Sequence, residues 1–519
     1  QSHEYLITSI SKGSFKCLNF IKSIDFPEDS EMRLFCKGSF ARSVLEKITI
    51  PSKLEKLEEG WCKGACELNQ LIVSPNNKNF KLYENDILIG KSNTNENEFD
   101  SIYFARRNIK KAVIPSNIKH IMDYSFANCE MLTEIEIPEN SELLTIRKKA
   151  FFGSCLKNLF IPKNFTTFED GWCHDASSLT SITISPKNKK YIYFNDQMIL
   201  GKNDENQVNY DELYFARRDI EKIKIPSYIK KICSYCFYYC LCLNEVEFAE
   251  NSELETIGKG SFFGTSIVKL IIPNHVKEIG HYCFSECDKI KEIQFNDDSE
   301  LSCFEQKIFA NSSIEKVNIP KNVRVLKNGW NYITPKLNNV NASPHNEIFK
   351  NFNEKILIKK SDLNINCYDT ISFASRDIEK VLIPSYIKHI GSNAFFCCIH
   401  LKNVEFEANS ELQTIGNFAF SDSLIPTHVS QIGRCAFSWC HELKKIDFNC
   451  ESELVEIGDS AFSNAGIKYF MMPKNVTEIK ESTFISCQSI LSFRFSNDSD
   501  MKSIGNNAFS TTTLQTISI

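Results

Sequence analysis

Apolar residues recur along this chain in short bursts of the form L-x-x-I-x-I, such as Leu132, Ile135 and Ile137, or Ile290, Ile293 and Phe295. Alternation with period two over so few residues predicts a half-buried strand. About 20 such strands fall between Ile21 and Ile519. After each burst the chain turns at Pro or Asn-Ser-Glu, descends through an Ile, and reaches a small residue followed by an aromatic. Phe126, Phe151, Phe237, Phe262, Phe284, Phe309, Phe395, Phe437, Phe462, Phe484 and Phe509 mark that last position, joined by Trp61, Trp172 and Trp330. Rings recurring once per turn predict an aromatic column inside a stack of turns.

The turns are copies of one another. IPSNIKHIMDYSFANC from Ile114, IPSYIKKICSYCFYYC from Ile225, IPNHVKEIGHYCFSEC from Ile272, IPSYIKHIGSNAFFCC from Ile383, IPTHVSQIGRCAFSWC from Ile425 and MPKNVTEIKESTFISC from Met472 align without gaps. They alternate with segments such as PENSELLTIRKKAF from Pro138, so units of 23 and 24 residues form a pair of 47. Such a period predicts a repeat solenoid with a parallel β-sheet, extending on the order of 95 Å if strands stack at about 4.8 Å. Gly-Trp pairs end at Trp61, Trp172 and Trp330, spaced 111 and then 158 residues, one further pair of units. After each, an island (74–108, 185–219, 343–377) lengthens a unit from 23 to 41 residues. Apolar alternation around an Asn/Asp/Glu turn predicts that each island is a β-hairpin projecting from one solenoid spanning 1–519.

The run I-P-x-x-[IV]-x-x-I-x-x-x-[SA]-F-x-x-C-x-x-L-x-x-[IV]-x-[IF], which covers essentially the whole chain, resembles the treponemal class of leucine-rich repeat. The paired units, NSEL connections and FARR islands are similar to BspA-like surface proteins of trichomonad protists. The resemblance implies a leucine-rich-repeat horseshoe or gently twisted solenoid and a cell-surface or secreted adhesin, with no catalytic residues. One departure is a Pro384-to-Pro426 spacing of 42 where 47 is expected, a shortening centred on SDSLIPTHV. Gln1 falls in a descending segment and Ile519 ends on a strand, which suggests a segment of a longer protein.

Composition narrows the function. Hydrophobic residues at 42% and aromatics at 12% specify a folded chain, and 40 Phe against 4 Trp fits the column. Sixty Lys and Arg against 65 Asp and Glu, without a basic block, argue against nucleic acid. No run approaches the roughly 18 apolar residues of a membrane helix.

The 21 cysteines resolve by alignment. Cys129, Cys240, Cys287, Cys398, Cys440 and Cys487 stand three residues after the unit's Phe, and Cys236 and Cys283 replace the small residue before it. Cys233-x-x-Cys236 therefore reads as repeated core slots, not a zinc or redox site, with isolated disulfides such as Cys435 to Cys440 or Cys62 to Cys66 left open. His120 and His389 occupy a position where Lys231, Glu278 and Gln431 also stand, which does not suit a catalytic base. Lys91, Lys202 and Lys360 recur in the islands, too little for an enzyme. No metal or cofactor is expected.

The FARR segments Phe104–Arg107 and Phe215–Arg218, with Phe373-Ala-Ser-Arg376, are expected to tie the islands to acidic turns, an oxyanion fork being the alternative. On the strands, the third position alternates Lys222, Glu245, Lys269, Glu292 and Lys316, a ladder of opposite charges. The fifth position carries Ile72, Val113, Phe160, Ile271, Leu382 and Met471, with Tyr469 beside Met471. These seven are the candidate partner-binding residues, on a concave sheet face. Sequons at Asn164, Asn311, Asn341, Asn475 and Asn497 permit glycosylation without arguing for it.

The expected function is a non-catalytic protein-recognition module, a cell-surface or secreted adhesin for host or neighbouring-cell proteins or extracellular matrix, with self-association open. The alternative is an intracellular scaffold or filament component in the cytoplasm.

Overall fold

The computed structural model describes residues 6–518 except 96, 205–206, 363, 402, 421–428, 442, 444–447, 449–451 and 497. They divide between two compact units, Gln1–Thr265 and Ser266–Ile519. Among the described residues there is no α-helix. Each unit is a parallel β-solenoid. In the first, Lys111–Val113, Glu134–Glu136, Asn158–Ile161 and Ser181–Ile184 pair in succession. In the second, Lys269–Ile272, Glu292–Phe295, Lys316–Ile319 and Asn339–Ala342 do the same. The alternation is the predicted one: Leu270 and Ile272 are buried while Lys269 and Ile271 face solvent.

The descending Ile belongs to a second parallel ladder of two-residue strands, beyond the one strand per unit that the apolar pattern predicts. His120–Ile121, Thr145–Ile146 and Thr167–Phe168 form one stretch of it, with Ile121 and Ile146 fully buried. So short a strand carries almost no sequence signal of its own; its pairing is imposed by the neighbouring turns. The core fills the space between the two ladders.

Where both positions are described, a turn closes through two left-handed residues four apart, as at Tyr124 (φ 58°) and Asn128 (φ 57°) around Phe126. A non-glycine residue there costs about 1 kcal/mol or more. Bonds to the next turn offset that strain: the amide of Phe126 donates to Ala150 O at 2.8 Å, and that of Asn128 to Phe152 O at 2.7 Å. Between these residues the aromatic rings stack, Phe126 on Phe151 at 5.4 Å and Phe237 on Phe262 at 4.9 Å. In the second unit the series Phe395, Phe420, Phe437, Phe462, Phe484, Phe509 is continuous, at 4.9 to 5.6 Å. Phe420, and Phe15 and Phe40 in the first unit, extend the column beyond the expected set. Burial of each ring contributes about 1.5–3 kcal/mol.

The three tryptophans are not in that column's backbone position. The amides of Phe40, Phe151 and Phe309 donate to the carbonyls of Trp61, Trp172 and Trp330, the bonds that elsewhere go to small-slot residues such as Ala150 and Ser261. Each Trp therefore occupies the small slot, and Cys62, Cys173 and Asn331 stand where the Phe should be. Trp61 still meets Phe40 edge-on at 6.1 Å, which is why the sequence pattern merges the two positions.

The described strands of each island are laid into a sheet beside the turns, where the sequence pattern predicts a projecting hairpin. Phe80–Tyr83, Ile87–Gly90 and Ser101–Ala105 pair antiparallel, and Ser101–Ala105 joins His120–Ile121 in parallel, extending the short ladder. Ile87–Gly90 is buried throughout. The copies at Tyr191–Phe194 and Phe349–Asn353 begin the same arrangement. One amide pins each start: Asn188 donates to Pro162 O and Phe165 O and accepts from the amides of Lys190 and Tyr191, and Asn77 and Asn346 do likewise. The shortening before Pro426 lies outside the described residues, yet Thr414–Ile415 pairs directly with Gln431–Ile432 across it.

Candidate functional site

The strand-face candidates lie on the long ladders with different exposures. Ile72, Ile271, Leu382, Tyr469 and Met471 are 41%, 53%, 50%, 56% and 48% exposed. Val113 and Phe160 are half-buried, and Phe160 packs against the core. The register does not gather them into one patch. Ile271 lies opposite Gln294, Leu382 opposite Glu405, Met471 opposite Arg494, Phe160 opposite Thr183 and Val113 opposite Glu136. Tyr469 and Met471 share a strand and form the one immediate pair. The charged rungs between them pair as the alternation predicts: Lys222 with Glu245 at 2.6 Å, and Glu292 with Lys269 and Lys316 at 3.1 Å each. Within each unit the long ladder carries apolar side chains set among neutralised charges.

The two arginines of FARR separate. Arg106 reaches Asp86 at 2.5 Å and Arg217 reaches Asp219 at 2.8 Å, the acidic tie expected for the motif. The second arginine turns inward: Arg107, Arg218 and Arg376 are at most 3% exposed. Arg218 donates through Nη1 to Cys236 O at 2.6 Å and to Cys240 Sγ at 3.5 Å, and through Nη2 to Cys173 Sγ at 3.4 Å, over the Phe215 ring at 4.7 Å. Arg107 repeats this with Ser125 O, Cys129, Cys62 and Phe104. The guanidinium fills the volume a Phe vacates at Cys62 or Cys173. In the third copy Asn331 replaces that cysteine, and Arg376 keeps Ala394 O and Cys398 while its Nη2 and both Asn331 amide atoms are unsatisfied. Buried this way, the second arginine cannot act as an oxyanion fork. Burial pushes the Cys62 and Cys173 thiols up to about 11 against the pull of the arginine, so they are neutral acceptors, not nucleophiles.

Other candidates resolve as packing. Cys129, Cys240, Cys287, Cys398, Cys440 and Cys487, with Cys236 and Cys283, are all buried, and none of the cysteines among the described residues is joined in a disulfide. His120 and His389 are half-buried, each with Nδ1 2.8 Å from a threonine hydroxyl of the next short strand, Thr145 or Thr414. Burial lowers both below the ordinary histidine value. Lys91, Lys202 and Lys360 lie over the rings of Phe99, Tyr210 and Tyr368. Among the described residues no three His, Cys, Asp or Glu side chains are placed to hold a metal ion, and no helix is long and apolar enough to cross a membrane.

Two features escape sequence reasoning. A cleft of about 750 Å³ opens in the first unit over Trp61, Tyr103 and Met122, with Asp123 and Arg147 3.7 Å apart and Lys91 to Thr94 at its rim. On the turn side, one residue beyond the Phe column, Phe152, His174, Tyr238 and Phe263 make a second aromatic ladder at 5.2, 4.0 and 4.7 Å. Burial among these rings pushes His174 down to about 3, so it is neutral. The signal is an aromatic ring directly after the Phe or Cys of these four turns, hidden because other copies carry Ala or Ser there.

A family model described as BspA type leucine rich repeat region (6 copies) matches residues 3–85, 97–199, 209–338, 367–425 and 422–519. No curated protein matches. Among solved structures the chain is similar to a leucine-rich cell surface protein of Faecalibacterium prausnitzii, at 16% identity over 83% of this chain and 95% of that one, TM-score 0.43. It is likewise similar to the pneumococcal vaccine antigen PcpA, at 17% identity over 85% and 88%, TM-score 0.43. A leucine-rich repeat protein of Eubacterium ventriosum matches at 18% identity over 82% and 83%, TM-score 0.38. With its repeats matched along most of its length, the chain belongs to the BspA-type leucine-rich repeat family.

Proposed function

We propose that this chain is a non-catalytic recognition module, displayed at a cell surface or secreted, that binds a protein of a host or neighbouring cell or its matrix through the long-strand face. The observation that carries the reading is the recurrence of exposed apolar side chains at one strand position, Ile72, Ile271, Leu382 and Met471, with Tyr469 beside the last. Strand-borne side chains lose little freedom on binding, and apolar anchors separated by paired charges suit a specific protein contact. Membership of the BspA-type family supports the same reading. Labelling of intact, unpermeabilised cells with a membrane-impermeant biotin reagent tests it. Labelling of this chain with a cytosolic marker unlabelled is expected; labelling only after permeabilisation refutes surface display.

A second reading, an intracellular scaffold, draws on the thiols. Arg218 uses Cys173 and Cys240 as neutral acceptors, an arrangement natural where thiols stay reduced. The permeabilised-only outcome selects it.

A further inference from the structure

The turn side of the first unit carries rings and ammonium groups together. Lys149 lies 5.2 Å from the Phe152 centroid and 6.0 Å from that of Tyr124, Lys63 lies 5.8 Å from Tyr124, and Lys259 lies 5.9 Å from Tyr235. The tyrosines lie close against glycines. A Cβ on Gly60 would come within 3.0 Å of the Tyr124 ring, and one on Gly171 or Gly260 within 3.0 Å of Tyr235. Where a hairpin replaces a turn of the stack, the tyrosine of the following turn reaches back to the glycine before it, so the ridge has no gap.

The charges around these rings are not balanced locally. Many lysines of this unit form ion pairs, including Lys22, Lys37, Lys53, Lys222 and Lys231. Among the described residues Lys63, Lys148, Lys149 and Lys259 form none within 4.0 Å. Of the acids facing them, Glu59 is bonded to Lys37, and Glu169 and Asp123 face Arg147. That leaves Asp170 and Asp175 against four ammonium groups. Burial, with Lys148, Lys259 and Lys63 nearby, holds Lys149 below the ordinary lysine value, so the four charges act on one another.

We propose that this ridge of Tyr124, Phe152 and Tyr235 with Lys63, Lys149 and Lys259 binds an anionic polysaccharide. The C–H faces of pyranose rings lie against the half-buried rings of Tyr124 and Tyr235, Phe152 being already stacked on His174 at 5.2 Å, and sulfate or carboxylate groups take the ammonium positions. An acidic peptide would satisfy the lysines but has no repeating flat face for the rings. The site is separate from the strand face and takes a different class of ligand.

Titration of the whole chain with a heparin oligosaccharide, at low and at physiological ionic strength, tests the proposal. Binding that weakens with salt is expected. The triple variant Lys63→Gln, Lys149→Gln, Lys259→Gln is expected to lose at least about tenfold in affinity and most of the salt dependence. Tyr124→Leu with Tyr235→Leu is expected to lose affinity while keeping the salt dependence. Absence of heparin binding at low salt, or undiminished binding by the triple variant, overturns the proposal. Equal affinity for poly-glutamate, indifferent to the tyrosine changes, also overturns it and identifies an acidic peptide site instead. If the triple variant melts early, Lys63→Gln and Lys259→Gln singly provide the same reading. Failure here leaves the surface-labelling result untouched, and the reverse also holds.

Discussion

Nη2 of the buried Arg218 donates to the sulfur of Cys173 at 3.4 Å, at a place where every ordinary turn of the stack would hold a phenylalanine ring. A charged group inside an aromatic column is sustained by soft acceptors, a carbonyl and the face of Phe215, with no carboxylate among the described residues within ion-pair distance. Such a group is costly to dehydrate. Arg218→Met, which keeps the volume and removes the charge, is expected to be neutral or to stabilise by up to a few kcal/mol, whereas Cys173→Ala leaves a donor unmet and costs about 1–3 kcal/mol. Thermal melting of both variants checks the contrast; a strongly destabilised Arg218→Met shows that the charge itself is needed.

The third copy lacks that acceptor. Asn331→Cys is expected to give Arg376 Nη2 its missing partner and to raise stability by about 0.5–1.5 kcal/mol. Denaturant midpoints compare the two proteins, and an unchanged or lowered midpoint counts against the equivalence of the three copies.

Phe284 is fully buried and stacks on Phe309 at 6.0 Å. Phe284→Ala is expected to cost about 3–5 kcal/mol and to loosen the adjoining turns, because each turn is held by the next. Hydrogen exchange at neighbouring ladder amides should rise with the loss of melting temperature. A variant that melts like the parent removes the column from the account of stability.

Glu292 is held down to about 2 by Lys269 first, with Lys316 and Gln294 also bonded to it. Its value in the folded chain is below the ordinary 4.5. It therefore contributes stability that is present above the unfolded value and lost as pH falls from about 4.5 toward 2. Glu292→Gln is expected to flatten the melting temperature over that window and leave it nearly unchanged in salt-rich buffer at neutral pH, where exposed pairs contribute little. Melting curves from pH 7 to pH 2.5 decide; parallel acid limbs in both proteins contradict the assignment.

Ile271→Ser with Leu382→Ser removes two of the most exposed strand-face apolars. Folding is expected to change by no more than about 0.5 kcal/mol for each, while capture of a protein partner weakens. Capture by the double variant at the parent's level moves the contact off the strand face.

Much of this molecule follows from its repeats alone. The strand of each unit, its inward Leu270 and Ile272, the stacked Phe residues and the neutralising Lys222 and Glu245 all arise from local alternation and from copying, because a parallel ladder places equivalent residues side by side. The family follows from the same residues. What the tertiary structure decided are the relationships between turns that differ. The two-residue strands exist only because neighbouring turns present matching backbone groups. Trp61 sits in the small slot and Arg107 in the Phe slot because a hairpin layer alters which side chains must fill the column. The ridge brings Lys63 to Tyr124 across a hairpin layer and sets Tyr124 beside Lys149 and Phe152 of the next turn, a grouping that no single repeat spells out. Periodicity encodes the rule of a stack, and only packing reveals where volume and charge require an exception to it.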